Sequence, residues 1–174
     1  MDPHLRRLQC GLDSAVADLS PDLLRWHPGG KWSAAEILEH LYLTYTGTSK
    51  GFDRVLRAGN PMTRMPTWKQ RAQVLIVVGF GYLPSGREAP VVSRPRGLPG
   101  EQVLAEIGIK LAEMDEVMAV CAAKFGSRTK VLDHPLLGPF SVDQWRKFHL
   151  VHGLHHLKQL HRLQELFSDS EAVR

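Results

Sequence analysis

Cysteine is scarce: the 174 residues hold only Cys10 and Cys121. They lie far apart and form no CxxC, which excludes a disulfide framework and a cysteine-based zinc knot. Long apolar runs are also missing. The longest, VLIVVGFGYL at 74–83, is interrupted by glycines. It falls far short of the roughly 20 residues a membrane span requires, so no membrane partner is expected. MDPHLRRLQC, at the start, has no apolar leader core, and a cytoplasmic location is expected. Charge is not concentrated either. Lys and Arg number 22 against 18 Asp and Glu, for a net charge of +4 and a pI near 9.3. The cations form no dense run of the kind that tracks a phosphate backbone, so no nucleic-acid partner is expected. Repeats and low-complexity tracts are absent, and alternating strand patterns nearly so.

Helical periodicity fills the rest. A hydrophobic content of 43% with 23% charged residues is ordinary for a globular chain, and one domain over 1–174 is expected. Leu5, Leu8, Leu12, Val16 and Leu19 predict a first helix over about 4–19. Ser20-Pro21-Asp22 can cap a short turn, and His27-Pro28-Gly29-Gly30 reads as a loop. SAAE at 33–36 is a capping box that starts a second helix, running to about Arg57. Residues 58–100 hold six of the eleven prolines and predict a long connection, with one short helix near 67–80. A third helix is expected from about Gly100 to Phe125, stopped by Gly126. SRTKVLDHPLLGPF reads as a loop. Ser141 and Gln144 then form a second capping box, opening a fourth helix to about Phe167. The fold class is all-α, a four-helix bundle, with an up-down-down-up order suggested by the long link between helices two and three.

The unusual stretch is HGLHHLKQL, 152–160. On a helical wheel Trp145, His149, His152, His156, Leu160, Leu163 and Phe167 share a sector of roughly 60°. Gln144, Lys147, Lys158, Arg162 and Glu165 gather opposite. His152 and His156 therefore face the core, four residues apart and about 6 Å along the axis. That spacing lets both imidazoles reach one ion at roughly 2.0–2.1 Å. His40 is the third ligand candidate. It shares a strip with Thr44, Gly47 and Gly51, small residues that leave room for a cavity. His149 is a further ligand or a partner hydrogen-bonded to one. His155 is placed near Gln159, and His161 projects away. The competing reading is a set of buried histidines satisfied by hydrogen bonds. Two stacked imidazoles on an apolar face argue against it, since both lose hydration unless something binds them. HGLHH lacks the glutamate of HExxH, so zincin-type peptide hydrolysis is not expected.

KWSAAEILEHL at 31–41 resembles the segment that brings the first histidine of the DinB-like superfamily. HPLLGPFSVDQWRKFHLVHGLHHLKQL at 134–160 resembles its last helix, with H-x-x-x-H-x-x-Q. The resemblance implies a four-helix bundle in the up-down-down-up order. It also implies a divalent metal (Zn, Ni, Fe or Mn) held by His40, His152 and His156, with homodimers common. It further implies thiol-dependent chemistry on a low-molecular-weight thiol. Three neutral imidazoles leave a coordination position open, as catalytic zinc sites do.

A metal-dependent enzyme is the first functional expectation, either a thiol-dependent transferase or a small-substrate hydrolase. The alternative is a metal-stabilised binding or stress-related interaction domain without turnover. A bare structural bundle is the third reading. Gln159 and Glu36 are candidates for supporting the ligands, though Glu36 has its capping role to fill. Arg87, Arg94 and Arg96 could close over an anionic substrate, and Trp32, Trp68 and Trp145 could line a pocket. Leu150, Leu154 and Leu157 form a second apolar strip, which suits either a dimer seam or another helix.

Overall fold

The computed structural model describes residues 1–17, 19–84 and 88–172. Among these residues the chain is mostly helical, with one small sheet. Helix α1 spans Pro3–Val16, its first turn capped by the Asp2 carboxylate on the His4 N–H, and it buries Leu5, Leu8, Leu12 and Ala15. It stops before residue 19. Ser20, in extended backbone, accepts the Leu23 N–H and caps α2, Pro21–Arg25, which Pro21 opens. The apolar period runs on through Leu19, which packs against the core from outside the helix, and Pro21 keeps Ser20 before it in extended backbone.

Helix α3, Ala34–Ala58, opens on the predicted capping box. Ser33 Oγ accepts from the Glu36 N–H, and Glu36 Oε2 accepts from the Ser33 N–H at 2.8 Å. It closes at Gly59, whose φ of 71° is the left-handed cap that glycine adopts without strain. Helix α4, Trp68–Val74, has its own capping box from Thr67 and Gln70 and continues as a π-helical turn over Leu75–Gly79. A 3-10 turn follows at Val91–Ser93. Helix α5 spans Gly100–Phe125.

The second expected loop is a hairpin. Strand β1, Lys130–His134, pairs antiparallel with β2, Gly138–Ser141. Pro139 and a register shift between Lys130 and Leu132 hide it from a period-two reading. His134 Nδ1 accepts the N–H groups of Leu136 and Leu137, closing the turn. Helix α6, Val142–Ala172, follows at once, with Ser141 and Gln144 exchanging the predicted capping bonds.

The four long helices enclose one apolar core. Along α3 and α5, Gly100 lies beside Ala35, Tyr42 donates to Glu106 at 2.8 Å, and Lys124 reaches the Leu56 carbonyl. Along α1 and α6, Leu8 seats over Gly153, Leu157 over Gly11, and Gln164 donates to the Ala15 carbonyl. The Leu150–Leu154–Leu157 strip therefore packs inward, with Leu154 and Leu157 on α1. Arg146 of α6 clamps Asp115 of α5 at 2.9 Å. No helix among the described residues is long and apolar enough to cross a membrane.

Candidate metal centre

Helices α3 and α6 bring three imidazoles together. His40 Nε2 lies 3.1 Å from His152 Nε2, and His156 Nε2 lies 3.2 Å from the same atom. All three residues are buried, and one ring nitrogen from each lies within 4.8 Å of the others. Nitrogen ligands held at roughly 2.0–2.1 Å by one tetrahedral ion stand roughly 3.3 Å apart, close to this spacing.

Hydrogen bonds elsewhere decide where the protons are. His40 Nδ1 lies 2.7 Å from the Ser93 carbonyl, which can only accept. Nδ1 is therefore the N–H, and Nε2 carries the lone pair. His156 Nδ1 lies 2.8 Å from Gln159 Oε1, while Gln159 Nε2 reaches His155 Nε2 at 3.2 Å. With the Gln159 amide oriented to donate to His155, His156 Nδ1 is the donor and its Nε2 is left as a lone pair. Three nitrogens thus converge with at most one proton among them, that of His152. Two close contacts cannot both be neutral hydrogen bonds. Protonation is no remedy, because burial pushes His156 down to about 3, and it holds His152 well below the ordinary range and His40 below it. A cation at the centre satisfies all three lone pairs. The donor set therefore fits a divalent metal, with two imidazoles oriented by acceptors on their far nitrogens.

The Ser93 carbonyl reaches His40 because Glu39 holds the segment after it. Its buried carboxylate accepts three backbone N–H groups, from Arg96 at 2.6 Å, Gly97 at 3.0 Å and Leu98 at 3.1 Å. Sequence reasoning missed both residues. Glu39 looks like any polar helix position, and a backbone carbonyl leaves no residue signature.

The other candidates lie as follows. Gln159 holds His156. Glu36 is occupied by its cap, with His27 Nδ1 3.5 Å away. His149 is fully buried between Trp145, Tyr45 and Phe148, and neither ring nitrogen has a partner among the described residues. Burial and the neighbouring His134 push it down to about 3. His155 meets Gln159 as expected, and His161 is exposed beside Gln164.

The triad opens onto a cleft of about 1580 Å³. Thr44, Gly47 and Gly51 line one wall as expected, and Leu132 fills against Gly51. Trp32 packs on His40 at 5.3 Å, Trp145 lines the cleft, and Trp68 stands in solvent. Arg94 reaches the cleft but is paired with Glu88 at 2.6 Å, whereas Arg96 turns to the Val92 carbonyl. Arg87 lies outside the described residues.

A mostly helical scaffold with a buried histidine triad at the floor of an open cleft defines a class of protein compatible with divalent metal binding. Family comparison is more particular: the model of the DinB superfamily matches residues 4–160, and the chain belongs to that family. No curated protein and no solved structure matches it.

Proposed function

We propose that this chain is a metal-dependent enzyme, a thiol-dependent transferase or small-substrate hydrolase, with its divalent ion held by His40, His152 and His156. The observation that carries the reading is the convergence of three Nε2 atoms with at most one proton among them. A bound ion would supply Lewis acidity and activate water or a thiol in an open coordination position. The protein's own groups do the rest. Ser93 and Gln159 fix two ring orientations, and Trp32 and Trp145 supply apolar wall. Lys31, Arg54, Arg57 and Arg162 line the cleft against Glu36 and Asp133, a balance that favours an anionic small molecule.

The same reading takes 1–174 as one cytoplasmic domain that forms a homodimer and orders its long helices up-down-down-up. The register of contacts supports that order. Residues 35, 42 and 56 of α3 meet 100, 106 and 124 of α5 in the same sense, whereas 40 and 52 meet 156 and 145 of α6 in the opposite sense.

The test loads the protein with Zn, Ni, Fe or Mn and incubates it with a low-molecular-weight thiol and a panel of electrophiles and esters. Turnover that disappears in His152→Ala supports the enzyme. Stoichiometric metal with no turnover on any member of the panel assigns the chain to the alternative, a metal-stabilised binding or stress-related interaction domain.

A further inference from the structure

Six of the fourteen large apolar side chains exposed among the described residues fall between Met65 and Tyr82. Trp68 is 82% exposed, Leu75 58%, Ile76 43%, Phe80 78% and Tyr82 62%, with Met65 nearby in the chain at 88%. On α4 and its π-helical continuation, residues 68, 72, 75, 76 and 79 recur at helical spacing and form one stripe. That stripe faces outward, while Val77 and Val78 of the same turns are buried. The helix is held from beneath. Lys147 Nζ donates to the Gly79 carbonyl at 3.2 Å, and Gln70 packs against Gly138. The outward face is thus presented on a fixed platform. An exposed apolar stripe of this kind marks an interaction surface.

Charge indicates what covers it. Between residues 54 and 100 the chain carries eight cations, Arg54, Arg57, Arg64, Lys69, Arg71, Arg87, Arg94 and Arg96, against the single carboxylate Glu88. The whole chain has 22 against 18. Lys69 and Arg71 flank the stripe and are exposed, and Glu88 is engaged by Arg94. A second copy docked by a two-fold axis on this face would bring those cations towards their own duplicates. An anionic lipid surface supplies both complements: an apolar layer for Trp68 and Phe80, and phosphate charge for Lys69 and Arg71. Indole and phenol rings settle at that boundary.

We propose that this face docks the protein on an anionic membrane surface, with the helix lying in the interfacial plane. The expectation of no membrane partner rested on the length needed to span, and a helix that lies on a surface needs no span. Ile76 also borders the cleft, so docking sets the cleft mouth beside the lipid.

Co-sedimentation of the full chain with vesicles tests this. Vesicles of phosphatidylcholine mixed with phosphatidylglycerol should bind the protein. Phosphatidylcholine alone should bind it far more weakly, and added salt should release it from the mixed vesicles. Trp68→Ala/Phe80→Ala and Lys69→Glu/Arg71→Glu should each weaken binding by about tenfold or more. Both pairs are exposed, so circular dichroism and metal content should stay at wild-type values. Absence of binding to the mixed vesicles overturns the proposal, as does binding that neither double variant weakens. A dimer in sedimentation velocity that Trp68→Ala/Phe80→Ala dissolves would also overturn it, by assigning the face to a second copy of the chain.

Discussion

Gly153 sits inside the histidine motif, and its replacement by alanine is the sharpest structural perturbation available. A Cβ there would lie 2.3 Å from Leu8 Cδ1, with further atoms of the same side chain at 2.9 Å and 3.2 Å. Carbon atoms prefer about 3.5–4.0 Å, so α1 and α6 would have to part by about 1 Å or Leu8 leave its rotamer. Leu8 is fully buried and has nowhere to go. Overpacking of this kind costs about 1–3 kcal/mol. For a chain of this size that is a fall in Tm of about 2–12 °C. The assay is a thermal melt of the metal-free protein, so that ion binding does not mask the effect. Leu8→Ala removes the clashing atoms and itself costs about 2–5 kcal/mol. The double variant Gly153→Ala/Leu8→Ala should then be more stable than the sum of the single effects by about 1 kcal/mol or more. A Gly153→Ala melt within error of wild type, or strict additivity in the double variant, would refute the packing of α1 on α6.

Three further outcomes follow from the triad and its surroundings. Gln159→Leu removes the acceptor on His156 Nδ1 and should keep the metal stoichiometry while weakening affinity by about 10–100-fold, read by chelator competition. His149→Phe replaces two unpartnered buried nitrogens with carbon and should leave metal content unchanged and stability equal or higher by about 1 kcal/mol; loss of metal would instead make His149 a ligand. The metal-free protein should lose stability as pH falls below about 6.5, because His134 is pushed down to about 4, and His149 and His156 to about 3, in the fold. The unfolded chain binds those protons first, so the loss runs from about pH 6.5 towards 3, and a flat chemical-denaturation profile between pH 7 and 4.5 would contradict the burial.

Local sequence signals carried far in this chain. The capping boxes at Ser33 and Ser141 place the starts of α3 and α6 because each is a bond between residues three apart. The four-residue spacing of His152 and His156, with the small strip beside His40, forecast the triad and its cavity wall. What stayed hidden was long-range or backbone-borne. Ser93 reaches His40 from 53 positions away, and Glu39 pins a segment 57 positions on. The hairpin was masked by its proline. The apolar run at 74–83 carried no direction: periodicity does not say which side meets the core, and Val77 and Val78 are buried while Leu75, Ile76 and Phe80 face outward.

Elemental analysis coupled to X-ray absorption on the purified protein, after equilibration with Zn, Ni, Fe and Mn in turn, tests the histidine centre most directly. The prediction is one divalent ion per chain with an imidazole nitrogen shell at about 2.0–2.1 Å for zinc, reduced to a trace in His40→Ala, His152→Ala and His156→Ala alike. An ion content that stays at a trace in the wild-type protein, or that is untouched by all three substitutions, would contradict it.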